Sequence, residues 1–180
     1  MGIAPSRYCP KCKKNLFVLK FISSSPLCQN CRINEQAAVV MPISTELLKA
    51  YNGTLYVVHT KPEFIMQVGT HSANTDLLLS KHEAKSACIV TAWNPFSQSL
   101  PTVDNIKRNE ELIGSVNKLE LKYLDAEGRD PEGKWLSEKS LCIFDATDTI
   151  IKEWMRVFGQ NAVVVVCYGQ SPTLVLHPDL

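Results

Sequence analysis

The order of apolar and polar positions predicts strands and helices that alternate along the chain from about residue 45 onward. Apolar runs bounded by turn-forming residues indicate strands, and apolar residues spaced three and four apart indicate amphipathic helices. The predicted strands are residues 54–59, 63–68, 87–93, 119–125, 141–144, 162–169 and 173–177. The predicted helices are residues 45–51, 75–85, 103–119 and 147–158. Residues 126–134, AEGRDPEGK, are predicted to be a turn throughout.

The strand order contains two predicted hairpins, one near each end of this region. Residues 54–59 and 63–68 form the first, and residues 162–169 and 173–177 form the second, with a short turn in each. The remaining strands alternate with helices. This order predicts an α/β (α+β) fold with a mixed sheet flanked by helices. We expect this domain to cover residues 35–180, after a small N-terminal zinc ribbon in residues 1–34.

Four cysteines near the N-terminus have the spacing of a structural zinc site, C-x2-C-x15-C-x2-C. Each pair can direct two thiolates at one ion, and the spacer suits a hairpin that joins the pairs. Two disulfides or a redox Cys-x-x-Cys are alternatives, but the N-terminus lacks the apolar core of a secretory signal. We expect a structural Zn²⁺ ion, because four thiolates leave no open coordination position. The predicted ligands are Cys9, Cys12, Cys28 and Cys31.

Charge is distributed unevenly along the chain. The net charge is +1, but residues 1–34 carry +6 with no acidic residue, and the remainder carries −5. A basic segment of this kind is typical of a nucleic-acid contact, although lysines also solubilise small modules. Hydrophobic residues make up 45% of the chain, and no run approaches the ~18 apolar residues of a membrane span. We therefore expect a cytoplasmic protein with no membrane contact.

Several polar residues fall at the ends of predicted elements, where a pocket could form if those ends converge. Amide side chains beside Trp93 and Trp135 would suit a nucleobase or another flat polar ligand. Glu138 is the candidate general acid or base, and Arg108 or Arg129 is the candidate contact for an anion. The predicted ligand-binding residues are Thr91, Asn94, Asn105, Arg108, Arg129, Ser140, Gln160 and Asn161.

Each of these residues also has a purely structural interpretation. Asn94 precedes Pro95 and is a good turn former, and Asn105 can help to cap its helix. Glu138 can pair with a lysine, and Gln160 and Asn161 can satisfy loop backbone groups. The sequence contains no P-loop, GxGxxG, GxSxG or HExxH motif, so it indicates no particular reaction.

Four motifs in order resemble a family catalogued as domain of unknown function 3293. They are LLLSKHEAKSACIVTAWNPFS, the N-x-x-R-N-x-x-L pattern of 105–112, EGRDPEGKWLSEKSL and FGQNAVVV. The resemblance covers about residues 51–176, and the cysteine ribbon is an addition to the family's usual pattern. It implies a bacterial or phage cytoplasmic protein and supplies no reaction. The residues that fit the family's pattern are Thr91, Asn94, Asn105, Arg129, Glu138, Ser140, Gln160 and Asn161.

Two classes of function are consistent with these observations. The first is a zinc-binding soluble protein whose α/β domain holds a small ligand, with a nucleotide-like compound as one candidate and catalysis left open. The second is a non-catalytic adaptor or inhibitor that binds nucleic acid or a protein partner through its basic zinc ribbon. Salt-dependent binding would favour the second class, and a co-purifying small molecule would favour the first.

Overall fold

The structure, a computed structural model, describes residues 43–179. The predicted zinc ribbon and its four cysteines lie outside the described residues. The helices and strands are, in chain order, α1 Thr45–Gly53, β1 Leu55–Val58, β2 Phe64–Met66, α2 Ala73–Lys81, β3 Ser86–Thr91, α3 Thr102–Lys118, β4 Tyr123–Arg129, β5 Glu138–Phe144, α4 Asp148–Phe158, β6 Ala162–Cys167 and β7 Thr173–Leu176. A short 3-10 helix at Pro95–Ser97 lies between β3 and α3.

The seven strands form one sheet in the order β2-β1-β4-β5-β3-β6-β7. The predicted combination of a sheet with flanking helices is confirmed, and both hairpins are present. Every pairing is antiparallel, however, so the expectation of a mixed sheet was wrong. The helices α3 and α4 each connect two strands that run in the same direction but are not neighbours in the sheet. Strand β5 lies between β3 and β4, and β3 lies between β5 and β6, so every hydrogen-bonded pair is antiparallel.

Strand β4 begins later and extends further than the sequence pattern predicts. Helix α3 continues to Lys118, and Glu120 has a positive φ of 54°, so the chain turns there before the strand begins at Tyr123. The predicted turn at residues 126–129 is instead strand, because Gly128 pairs with Tyr56 of β1 and with Glu138 of β5. Pairing on both sides outweighs the weak intrinsic strand preference of this segment.

Both faces of the sheet are covered, and each has its own apolar core. Helix α4 places Ile151, Trp154, Met155 and Phe158 on one side, at the spacing of an amphipathic helix. With α3 they cover one face of the central strands. Helix α2 packs Leu78 and Leu79 against the other face. Within residues 43–179, no helix is long and apolar enough to cross a membrane.

Helix α1 is attached to the sheet more loosely than the others. The Ser44 hydroxyl accepts a hydrogen bond from the Leu47 N–H and begins the helix. None of its residues is buried, whereas α2, α3 and α4 each bury at least three. Amphipathic helices are stabilised mainly by the apolar face they bury. A helix that buries so little covers part of the sheet without closing over it.

Candidate functional site

Antiparallel pairing gathers the polar residues at one edge of the sheet. The end of β3 lies beside the start of β5, with Thr91 opposite Ser140. The start of β5 lies beside the end of β4, with Glu138 opposite Gly128. Side chains on alternate residues of a strand share a face, so Glu138 and Ser140 point to the same side of the sheet. The predicted convergence of strand ends is therefore present at this edge.

A cavity of about 270 Å³ opens at this edge, between the sheet and helix α1. Its floor is formed by apolar sheet residues such as Ile89 and Val164, and one wall by Leu47, Ala50 and Tyr51 of α1. Of the predicted site residues, those that line the cavity are Thr91, Asn94, Glu138, Ser140 and Gln160. Those that do not are Asn105, Arg108, Arg129 and Asn161.

Glu138 is the carboxylate of this cavity, and Asn94 holds it in place. The Asn94 side-chain amide donates a 2.6 Å hydrogen bond to Glu138 Oε1. Within residues 43–179 the other oxygen, Oε2, makes no hydrogen bond and Glu138 has no salt-bridge partner. Burial raises the pKa of Glu138, and the hydrogen bond from Asn94 offsets part of that rise. The lysine pairing of its structural interpretation is not found in the described part of the chain.

Asn94 and Asn105 form a closed hydrogen-bond network behind the cavity. The Asn94 backbone N–H donates to Asn105 Oδ1 at 2.9 Å, and Asn105 Nδ2 donates to Asn94 Oδ1 at 2.8 Å. The Leu100 N–H also donates to Asn94 Oδ1, at 3.0 Å. These donors fix the orientation of both amides. Asn105 is 2% exposed, so it positions Asn94 and does not reach a ligand.

Arg108 does not reach the cavity, contrary to its predicted role as an anion contact. Arg108 is 4% exposed, and its guanidinium donates to the Ala92 carbonyl at 2.7 Å and the Phe158 carbonyl at 2.6 Å. Burial lowers its pKa. Arg108 therefore joins α3 to the end of β3 and to the end of α4. This is a structural role, because its donors are directed at backbone carbonyls of the protein and not into the cavity.

Arg129 also lies away from the cavity, at the end of β4. Its guanidinium pairs with Glu127, with Nη2 at 2.6 Å and Nε at 2.7 Å from Glu127 Oε1. Glu63 Oε2 lies 3.8 Å from Arg129 Nη1. Arg129 and Glu127 are two residues apart on the strand, and Gly128 between them faces the cavity. The alternation of a strand places Arg129 on the opposite face from Glu138.

Gln160 and Asn161 have separate roles. Gln160 donates from Nε2 to the Trp93 carbonyl at 2.8 Å and to the Phe158 carbonyl at 3.1 Å, and it lines the cavity. Asn161 lies just outside and donates to the Ser97 hydroxyl at 3.0 Å. The Ser97 hydroxyl in turn lies 3.3 Å from the Tyr51 hydroxyl. These two contacts connect the start of β6 to helix α1.

The turn that follows β3 has an uncommon backbone. Asn94, Phe96 and Ser97 have φ values of 45°, 51° and 59°, which is the left-handed region. Non-glycine residues adopt this region seldom, and such strain concentrates at functional sites. Gly159 supports the turn, because a Cβ there would lie 2.8 Å from the Phe96 ring. Gly159 is also the C-cap of α4, with a φ of 59°.

The structure adds residues that the sequence did not single out. Tyr51, Thr54, Tyr56, Ser97 and Ser99 all line the cavity. Tyr56 was detectable only as one of the alternating positions of a predicted strand. The tryptophans have different positions: Trp135 lines the cavity, and Trp93 does not. The Trp93 indole nitrogen is buried and has no hydrogen-bond partner among residues 43–179.

The described residues show no candidate metal centre. Across residues 43–179, no group of three or more His, Cys, Asp or Glu side chains is arranged to hold a metal ion. The residues that could hold one are the four N-terminal cysteines, which lie outside this range. The cavity itself is lined by one carboxylate, several hydroxyls and amides, and aromatic rings. That chemistry suits a small organic ligand.

These features define a helix-covered antiparallel sheet with a polar cavity at one edge. Residues 90–163 match the model of a family described as "Protein of unknown function (DUF3293)". This match supports the resemblance over a shorter range than the 51–176 expected. It contains every residue predicted to bind a ligand, from Thr91 to Asn161, but not helix α1. No curated protein and no solved structure matches the chain.

Proposed function

We propose that the cavity binds a small, flat, polar organic ligand, and that Glu138 contacts its polar edge. The observation that carries this proposal is the state of Glu138. Its carboxylate is partly buried, one oxygen is fixed by Asn94, and the other lines the cavity without a partner in the described part of the chain. A carboxylate oxygen that is not already bonded can accept hydrogen bonds from a ligand in the cavity.

The volume and lining restrict the ligand. About 270 Å³ is just below the roughly 300–1,000 Å³ of most ligand pockets, so the ligand is small. The lining includes the Trp135 ring and the Tyr56 ring, which favour a flat molecule. No Lys, Arg or His is among its described lining residues. Of a nucleotide-like ligand, the site therefore suits the base and not the phosphate.

If the protein catalyses a reaction, Glu138 is the proposed general acid or base. Its raised pKa brings the carboxyl closer to neutral pH, where a group can both accept and donate a proton. Asn94 positions it through the 2.6 Å hydrogen bond. Ser140, Thr91 and Gln160 surround it and would orient the ligand.

Native mass spectrometry of gently purified full-length protein tests this proposal. We expect a measured mass greater than that of the chain plus one zinc ion. Denaturation should release the small molecule that accounts for this extra mass. Ala50→Phe fills the cavity from α1 and should abolish the extra mass. Ala73→Phe makes the same change at the exposed start of α2, away from the cavity, and should retain it. Equal retention by both variants would contradict the proposal.

We also propose that Cys9, Cys12, Cys28 and Cys31 bind one structural Zn²⁺ ion. The spacing of the two Cys-x-x-Cys pairs supports this. Metal analysis should give one zinc per chain, and Cys12→Ser should lose it. The free cysteine Cys167 provides the control, because Cys167→Ser should keep the zinc.

A second candidate function rests on the +6 charge of residues 1–34. In it, the basic module binds nucleic acid or an acidic protein partner, and the α/β domain is an adaptor. Binding to single-stranded RNA or duplex DNA should then fall steeply with salt. Changing Lys11, Lys13 and Lys14 to Glu should abolish it. An affinity that changes neither with the salt concentration nor in this variant would exclude this function.

A further inference from the structure

Most hydrogen-bond donors of the polar side chains that line the cavity are already bonded to backbone carbonyls. Tyr56 donates its hydroxyl to the Tyr51 carbonyl at 3.0 Å, and Thr54 donates to the Ala50 carbonyl at 2.8 Å. Thr91 donates to the Lys139 carbonyl at 2.7 Å. A hydroxyl has one donor and two acceptor lone pairs. Each of these three oxygens can therefore still accept a hydrogen bond but cannot give one to a ligand.

Ser140 and Gln160 follow the same rule. Ser140 donates its hydroxyl to the Glu138 carbonyl at 3.2 Å. Gln160 uses Nε2 to donate to two backbone carbonyls, and only the nitrogen of an amide can do so. This fixes the amide orientation and leaves Oε1 as an acceptor. Within residues 43–179, the remaining unused donors of the lining are at Asn94, at the exposed Ser99 hydroxyl and at the indole of Trp135. Tyr51 and Ser97 share one hydrogen bond, so one of their two hydroxyls is also an unused donor.

The charges of the residues that line the cavity favour the same class of ligand as their hydrogen-bonding groups do. Glu138 is an anionic carboxylate with one oxygen free, and no basic residue lines the cavity within residues 43–179. The two arginines near this sheet edge already have partners. Arg108 donates to two backbone carbonyls, and Arg129 forms an ion pair with Glu127. A partly buried carboxylate is stabilised by an opposite charge held close to it. In the described residues that charge is missing.

We infer that the ligand is a small flat organic cation that presents N–H donors at one edge, such as an aromatic amidine or a protonated amino-heterocycle. This inference rests on the proposed function and specifies its ligand class. The N–H edge would donate to Glu138 Oε2 and to the acceptors of Ser140 and Gln160. The charge would lie near the Trp135 and Tyr56 rings, whose faces attract cations.

The same lining disfavours ligands with the opposite chemistry. A carboxylate or phosphate would meet Glu138 with like charge and would find few donors. A neutral molecule of the same shape would gain the ring contacts but no ion pair. A charge-assisted hydrogen bond is about twice as strong as a neutral one. The cavity should therefore discriminate between isosteres by charge and donor count, and not by shape.

Three isosteric probes test this inference: benzamidine, benzamide and benzoate, titrated into the full chain by calorimetry. We expect benzamidine to bind about tenfold or more tightly than benzamide, with no detectable binding of benzoate. Glu138→Gln keeps the size and the acceptor for Asn94 but removes the charge, and should weaken benzamidine at least tenfold without affecting benzamide. Glu153→Gln, on the exposed side of α4, is the control and should change neither affinity.

The outcomes separate the two proposals. If benzamide or benzoate binds as well as benzamidine and Ala50→Phe abolishes that binding, the cavity is a ligand site but the cation assignment is wrong. If none of the probes binds, or if Ala50→Phe leaves binding unchanged, both the proposed function and the cation assignment are wrong. Equal loss in Glu138→Gln and Glu153→Gln would also overturn the cation assignment, because it would show a general effect of charge.

Discussion

Two polar clusters lie at the same edge of the sheet and differ in what their side chains contact. The closed cluster is Asn94, Asn105 and Arg108, whose polar atoms bond mainly to one another or to backbone carbonyls. The open cluster is Glu138, Ser140 and Gln160, which line the cavity with acceptors still unused. Both clusters have the residue types of a binding site. Only the open cluster presents unused acceptors to a ligand in the cavity.

The comparison teaches that residue type does not separate a positioning role from a binding role. Arg108 and Glu138 are both charged and at least partly buried. The Arg108 guanidinium donates to two backbone carbonyls, whereas Oε2 of Glu138 makes no hydrogen bond within residues 43–179. Asn94 connects the clusters, since it belongs to the closed network and holds Glu138. Variants in the closed cluster should therefore lower stability, and variants in the open cluster should lower ligand affinity.

Removing Arg108 should have the largest effect. Arg108→Ala leaves the Ala92 carbonyl without its partner and the Phe158 carbonyl with Gln160 alone, at a cost of about 3 kcal/mol in the free energy of unfolding. Urea denaturation measures it. Lys107→Ala, on the exposed side of the same helix, should stay within about 0.5 kcal/mol of the wild type. A small loss for Arg108→Ala would contradict the structural role of this arginine.

Asn94→Ala should be the next most damaging change. It removes the acceptor for Leu100 and Asn105 and the donor to Glu138, and alanine fits the φ of 45° poorly. We expect a loss of about 2 kcal/mol in the free energy of unfolding. The exposed Asn117→Ala serves as the control. If Asn94→Ala lost ligand affinity at unchanged stability, Asn94 would belong to the open cluster.

Trp135→Ala should reduce affinity with little effect on stability. The ring is 39% exposed at the cavity, so its removal costs little packing. Benzamidine should bind about fivefold more weakly, which is the loss of about 1 kcal/mol of cation–π attraction. The neighbouring Leu136, which is 90% exposed and does not line the cavity, gives the matched control Leu136→Ala. A comparable loss in both variants would remove Trp135 from the site.

The smallest effect concerns stability as a function of pH. The pKa of Glu138 is raised in the folded state, so the folded protein holds this proton more tightly than the unfolded chain does. The contribution is fully favourable below the ordinary pKa of glutamate and is lost as the pH rises through the raised value. Glu138→Gln should therefore be at least as stable as the wild type at pH 7, with a difference that shrinks toward pH 4. Thermal unfolding across this range measures it, and a less stable variant at pH 7 would show that the carboxylate is structural.

Much of the fold could be predicted from the sequence, because strongly patterned segments determine their own structure. Helix α4 illustrates this: its apolar spacing predicts a helix over residues 147–158, and the observed helix is Asp148–Phe158 with Thr147 and Gly159 as its caps. The antiparallel sheet could not be predicted, because strand direction depends on pairing between distant segments. Strand β4 was misplaced for the same reason, since Gly128 is held in the sheet by its two neighbours and not by its own preference.

The residues that line the cavity were predicted in part. Residue types and strand ends identified Thr91, Glu138 and Ser140, whose positions follow from the alternation of strands. The two arginines were misassigned, because whether a guanidinium faces a cavity, a carbonyl or a carboxylate depends on tertiary contacts. The wall formed by α1 was missed, since Ala50 and Tyr51 have no chemical signature in the sequence.

The most direct test of the central claim is the NMR response of the labelled full chain to benzamidine. Its ring current should shift the backbone amides of Thr91, Glu138 and Ser140 and of the α1 residues Ala50 and Tyr51. The side-chain amide of Gln160 should shift more than that of Asn105, because only Gln160 lines the cavity. Shifts centred on α2 or on the outer side of α4, or no shifts at saturating benzamidine, would contradict the account.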